Sequence, residues 1–240
     1  MIQRIILLFL GLTFLIQNVF SQNIQDAKAD EIIEGSEVVR LGEKSATPEF
    51  VQLRKSAEFP ASKFPVWAKK AFELDEKIGL VKLREENDKL GMQHIRYQLT
   101  NNGIPVYGAF VYTHGTNDMV SSINGKMPSQ IDVRLVGLGE AIALESAKNY
   151  IEAETYKWEL PEEEEHLKWE TEDPTATYFP KGELVYINPS FDFKQTDKFQ
   201  LAYKFDIYAH KPVGRYEVFV DAETGEVLFQ NDRICSADAV

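Results

Sequence analysis

Between His94 and Thr100 the chain alternates in steps of two: Ile95, Tyr97 and Leu99 are apolar, while His94, Arg96, Gln98 and Thr100 are polar. That period marks a half-buried β-strand. Asn101-Asn102-Gly103 tolerates positive φ and turns the chain into a second strand, Val106–His114. Gly115–Asp118 then reverses it into a third, Met119–Asn124. A three-stranded meander is therefore predicted.

Ahead of the meander the period changes from two to that of a helix. Pro65 suits the first turn of a short helix through Leu74, with Trp67, Ala71 and Leu74 on one face. Residues 22–64 are polar with scattered apolar positions and read as a weakly ordered leader with one strand near Glu37–Arg40. Downstream, Ala141, Leu144, Ala147 and Ile151 recur at helical spacing between Glu140 and Glu152. Residues 157–181 are acidic and interrupted by proline, the composition of an irregular excursion. The last third reads as strands: Glu183–Asn188, then Phe199–His210 with Phe199, Leu201, Tyr203, Phe205 and Ile207 on one face. Tyr216–Val220 and Glu226–Phe229 flank the turn Asp221–Gly225. A helix followed by strands occurs twice, at 65–125 and 140–231, without βαβ alternation. The expected class is α+β, in two small domains, each an antiparallel β-sheet packed with a helix. Their bounds are 65–136 and 137–231, with a tail at 232–240. Tyr97, Phe110, Tyr203, Phe205, Val218 and Trp67 are the expected core, and His94 and Arg96 face away from Tyr97.

The first 21 residues stand outside this scheme. Arg4 precedes an apolar run, Ile5 to Ile16, broken only by Gly11 and Thr13, and Val19-Phe20-Ser21 supplies small residues at the usual cleavage distance. Residues 1–21 thus read as a secretory signal peptide, too short for a membrane span, and the expected location is extracellular. The whole chain carries 26 basic against 38 acidic residues, and removing the signal removes one Arg and no acid. An acidic surface argues against nucleic acid or an anionic membrane as partner. With one cysteine, Cys235, no internal disulfide is available and the hydrophobic core must carry the fold.

Three stretches resemble the fungalysin/thermolysin propeptide domain found ahead of secreted zinc metalloproteases. They are His94-x-Arg96-Tyr97-Gln98, Asn102-Gly103-Ile104-Pro105-Val106-Tyr107-Gly108 and Ser122-Ile123-Asn124-Gly125. The second half is similar to the PepSY domain that usually follows it. That likeness is carried by the Ala141–Ile151 helix, Leu201-Ala202-Tyr203-Lys204-Phe205 and Val220-Asp221-Ala222-x-Thr224-Gly225-Glu226-Val227. The resemblance implies a propeptide region that acts as intramolecular chaperone and inhibitor of a thermolysin-like metalloprotease domain absent from this chain. Zinc and calcium then belong to that missing domain, with no cofactor here. The alternative is a free-standing secreted inhibitor or binding module acting in trans.

No catalytic set accompanies these motifs. A thermolysin-type zinc site needs two histidines one helical turn apart with a glutamate after the first. Neither His-Glu-x-x-His nor Gly-x-Ser-x-Gly occurs, and His94, His114, His166 and His210 are far apart in sequence. Each histidine reads as a surface or strand-packing residue, and the Glu162–Glu165 run as a solvated stretch. His94 and Arg96 either hold the prodomain together, dock it on the protease, or occupy a solvated strand face. Cys235 is a free thiol, half of a disulfide to a downstream domain, or a thiolate cap on a partner's zinc; the resemblance brings no such cap with it.

Overall fold

Strand periodicity and two helix-forming segments dictate the scaffold. The computed structural model describes residues 23–132 and 136–234. The expected signal peptide, and Cys235 with the remainder of the tail, lie outside the described residues. In chain order the elements are β1 (Asn23–Gln25), α1 (Asp26–Ile32), β2 (Ser36–Leu41), β3 (Pro48–Leu53), β4 (Phe59–Pro60), α2 (Phe64–Ala71) and β5 (Ile78–Asn87). The expected meander follows as β6 (Gln93–Asn101), β7 (Ile104–Thr116) and β8 (Met119–Gly125). After it come α3 (Glu140–Ile151), β9 (Thr155–Tyr156), α4 (Pro161–Thr171), β10 (Glu183–Ile187), β11 (Gln200–Lys211), β12 (Gly214–Asp221) and β13 (Val227–Asp232). The protein is α+β and its sheet pairing is almost wholly antiparallel.

The described residues form one 13-stranded sheet, with β1-β2-β3-β8-β7-β10-β11-β12-β13 as its main path and β5 and β6 stacked beyond β7. A strand has two edges. Here β6 takes one edge of β7, and β8 takes the other only from Val111 onward. That leaves the start of β7 free for β10, which joins it in parallel at Tyr186 opposite Val106. The units expected at 65–136 and 137–231 are thus hydrogen-bonded into one sheet, and buried residues from Ala29 to Ala222 form one continuous cluster.

α2 and α3 cover one side. Pro65 occupies the first turn of α2, and Phe64 and Ala68 are its buried residues. The Phe64 ring lies 4.9 Å from that of Tyr97, which seats α2 on β6. α3 packs on β11 and β12 through Ala143, Leu144 and Ala147, with Phe205 and Val218 in the same cluster. Each large apolar side chain buried this way contributes about 1.5–3 kcal/mol.

Several expectations need correction. The leader is ordered: Val39 and Val51 face each other across β2 and β3, both 0% exposed, and β3 pairs with β8. Its apolar residues are few but lie at alternating positions, and they complete a sheet edge built elsewhere in the chain. The acidic stretch contains a helix, α4, entered through Pro161 with Glu162, Glu163 and Glu164 in its first turn, where carboxylates favour the helix dipole. Within α3, Ala143 is buried and Ala141 exposed. Trp67 and Phe110 are half-buried, and Phe110 lies on the Arg96 side of the sheet. β5 was not expected; most of it is exposed, so its apolar pattern is weak.

Candidate functional site

The side of the sheet turned away from α2 and α3 carries the polar residues of the meander. Ile95, Tyr97 and Leu99 are buried, as alternation requires, and His94, Arg96 and Gln98 emerge opposite them. Arg96 lies flat on Phe110, 3.8 Å from the ring centroid, and 5.8 Å from that of Tyr112. Its Nε is buried without a hydrogen-bond partner, so the aromatic rings rather than acceptors position this guanidinium.

A bulge shapes the groove beside it. Thr100 faces Pro105 but Gln98 faces Phe110, so β7 spends three more residues than β6 over this interval. Gln98 Nε2 donates to the Val106 and Ala109 carbonyls, 2.8 and 3.1 Å away, and so ties the two sides of the bulge together. Gly108 sits there at φ +78°, and a Cβ on it would meet the Phe191 ring at 3.2 Å. Glycine is required twice over, for its backbone angle and for that ring.

The bulge turns Tyr107 toward the second half. Its ring packs 4.5 Å from Phe219, and its hydroxyl donates to Glu217 Oε2 at 3.1 Å. Asn231 Nδ2 donates to the same oxygen at 3.0 Å, and Arg233 Nη1 approaches Glu217 Oε1 at 3.2 Å. Burial works to raise the Glu217 carboxyl, but the bonds from Asn231 and Tyr107 and the charge of Arg233 outweigh it and hold the group below the usual glutamate range. Burial first, and the Glu217 charge second, push the Tyr107 phenol up to about 12. This cluster closes one end of a groove of about 690 Å³ whose walls include Arg96, Phe110, Phe191, Lys204 and Phe229. A second apolar cluster of Val185, Ile187, Ala202 and Phe219 has Tyr107 and Phe229 packed against it, and through Val185 and these two rings it reaches the groove. Aromatic and aliphatic walls edged by Arg96 and by the paired charges Lys204–Glu183 and Arg233–Glu217 are suited to holding a protein segment.

His94 is brought against His114, which the sequence kept apart. The two face each other across β6 and β7 with Nδ1 atoms 2.6 Å apart. His94 Nε2 lies 3.4 Å from Asp88 Oδ2, and His114 Nε2 contacts Asn124 Oδ1. Counting back from the Asn102-Gly103 turn without a bulge would set His94 opposite Val111; the three extra residues move His114 into that place. Tyr107, Glu217, His114 and Asn124 were not singled out from the sequence. Their only signal was that Tyr107 and Asn124 fall within the matched motifs. Of the expected site residues, Arg96 is in the groove, His94 is on the same face outside it, and Cys235 is outside the described residues. Among the described residues no group of three or more His, Cys, Asp or Glu is placed to hold a metal ion, and no helix is long and apolar enough to cross a membrane.

Residues 79–127 match the Fungalysin/Thermolysin Propeptide Motif, which spans β5 to β8 and so supplies one wall of the groove. The chain is 27% identical over 158 residues to thermolysin of Alicyclobacillus acidocaldarius subsp. acidocaldarius, covering 64% of this chain and 25% of that protein; the figures for thermolysin of Bacillus caldolyticus are the same. It is 30% identical over 156 residues to the hemagglutinin/proteinase of Vibrio cholerae, covering 62% of this chain and 22% of that protein. The chain thus spans about a quarter of the length of the curated relatives it matches. Among solved structures, the Bacillus megaterium YpeB C-terminal domain aligns over 91% of both chains at 13% identity and a TM-score of 0.37, too remote for argument. The propeptide motif and the partial similarity to thermolysins support a propeptide region of a thermolysin-like protease.

Proposed function

We propose that this chain is the propeptide region of a secreted zinc metalloendopeptidase precursor, and that it serves its protease domain as folding template and as inhibitor. Residues 1–21 direct export, and 65–136 and 137–231 act as the propeptide-motif unit and a PepSY-like unit. The docking surface is the open sheet face, with the Arg96 groove at its centre. The observation that carries this reading is the placement of the propeptide motif: its strands β6 and β7 supply Arg96, Gln98, Tyr107 and Phe110 to the groove. A preformed surface complementary to a folding transition state lowers the refolding barrier, and the same complementarity blocks the cleft until the propeptide is removed. Catalysis and metal binding by the protease belong to that partner domain.

The test is to refold a denatured thermolysin-like catalytic domain with and without one equivalent of this chain, and to titrate the chain against the active enzyme. Faster recovery of activity together with stoichiometric inhibition is expected. A chain that neither speeds refolding nor inhibits at micromolar concentration with the cognate domain would sink the proposal.

A further inference from the structure

Arg96 is the groove's unmatched charge. Lys204 pairs with Glu183 at 2.7 Å and Arg233 with Glu217 at 3.2 Å. Arg84, which faces Arg96 across β5 and β6, pairs with Glu86 at 2.8 Å. Each of these cations has its own carboxylate, while among the described residues no carboxylate lies within ion-pair distance of Arg96. Of its unpartnered nitrogens only Nε is buried, so the two Nη nitrogens are the end open to an acceptor. A guanidinium with its face laid on Phe110 and its Nη edge open is preset for the parallel, two-bond grip on a carboxylate. Held there by the ring, it has few rotamers left to lose on binding.

The walls define what flanks that carboxylate. Leu83, at the bulge between Lys82 and Arg84, is 53% exposed, and Phe110, Phe191 and Phe229 line the same groove. An extended chain presents side chains on one face at every second residue, about 7 Å apart. We infer that the groove takes an extended acidic–apolar segment of the partner protease domain, with an Asp or Glu gripped by Arg96 and an apolar side chain two residues away against the rings. A basic segment would meet an unopposed like charge, and an uncharged one would cover Arg96 without supplying its acceptor, so both are disfavoured. The inference rests on the reading of this sheet face as the docking surface and adds the chemistry of what is bound there.

The probe is acetyl-Phe-Ala-Asp-Ala-Phe-amide, titrated into the chain and followed by NMR beside the same peptide with Asn or Lys at its centre. The Asp peptide should bind about tenfold tighter than the Asn peptide and shift the Arg96 Nε–H and Gly108 N–H signals, and the Lys peptide should bind weakest. Arg96→Gln should bring the Asp-to-Asn ratio close to one, while Lys168→Gln, on α4 and outside the groove, should leave it unchanged. If Arg96→Gln fails to fold, the ratio and the shifted signals in the parent still decide. In the catalytic domain, one surface Asp→Asn or Glu→Gln should weaken inhibition by the parent chain about tenfold and inhibition by Arg96→Gln hardly at all. An Asp peptide that binds no tighter than the Asn peptide, or a chain that inhibits with no protease carboxylate coupled to Arg96, would overturn the inference and leave the propeptide reading standing. A chain that neither inhibits nor speeds refolding would remove the propeptide reading, and the peptide ratio alone would then decide whether the groove takes an acidic segment.

Discussion

The phenolic oxygen of Tyr107 donates to Glu217 at 3.1 Å, joining residues 110 positions apart. Tyr107 belongs to the bulge in β7 and Glu217 to β12, so the bond ties the motif-bearing half to the C-terminal half across the groove. Tyr107→Phe keeps the ring on Phe219 and removes only the donor. Glu217 retains Asn231 and Arg233, so the expected loss is about 1–2 kcal/mol of unfolding free energy. Urea melts check this through a lower midpoint at unchanged slope. An unchanged midpoint would show that water replaces the bond at no cost.

The same pair sets opposite limbs of the pH profile. The Tyr107 phenol is raised to about 12 in the folded chain. Its contribution is therefore fully present below the unfolded value near 10 and is lost as pH climbs toward 12. Glu217 is lowered, so its contribution is present above the ordinary glutamate range and is lost as pH falls through the folded value. Tyr107→Phe should flatten the alkaline limb between pH 10 and 12, and Glu217→Gln the acid limb below about pH 4. Stability measured against pH in the two variants checks each limb separately, and an unaltered limb would remove that residue from the account.

Local periodicity made much of the sheet legible: the meander and β11 lie where alternation puts them, because each has one face in the core, while β12 and β13 were marked by the Asp221–Gly225 turn between them. What was not legible depends on partners distant in sequence. β2 and β3 carry few apolar residues, yet Val39 and Val51 are buried because β8 offers an edge to pair with. The parallel contact of β10 with β7 needs an edge left open where β8 stops. Arg96 was legible as outward-facing, but its bed on Phe110 depends on a register shift that no turn rule supplies. His114 was hidden for the same reason.

If the leader is structural, Leu53→Ala should be costly. Leu53 is 2% exposed and ends β3, so truncating it removes burial and leaves a cavity. The expected cost is about 2–5 kcal/mol in a denaturant melt. A cost near zero would return residues 22–64 to the status of a loosely attached segment.

Gly108→Ala and Gly103→Ala separate backbone strain from crowding. Both glycines have φ near +80°, but a Cβ at Gly103 meets nothing within 4 Å while one at Gly108 meets the Phe191 ring. Gly103→Ala should cost about 1–2 kcal/mol from the left-handed backbone alone. Gly108→Ala should cost more, since Phe191 must also move, and the excess reports how firmly the groove is packed. Equal losses, read from melts of the two variants, would mean that Phe191 gives way freely.

Arg96 provides the sharpest check on the docking face. Its guanidinium lies on Phe110 in the wall of the groove, and arginine is prominent among the residues that dominate protein interfaces. Its stacking contributes only about 0.5–1 kcal/mol to the isolated fold at a half-exposed site. Arg96→Ala should therefore barely lower the melting temperature, yet weaken inhibition of the cognate protease by tenfold or more, a loss of at least about 1.4 kcal/mol in binding. Arg96→Lys keeps the charge but loses the flat stack on the ring, and should fall between the two. Inhibition constants and melts measured on the same preparations separate the outcomes. If Arg96→Ala inhibits like the parent, the groove is a packing seam between the two halves, and the protease must be met by another surface, of which the exposed β5–β6 hairpin with Leu90 at 92% exposure is the next to test.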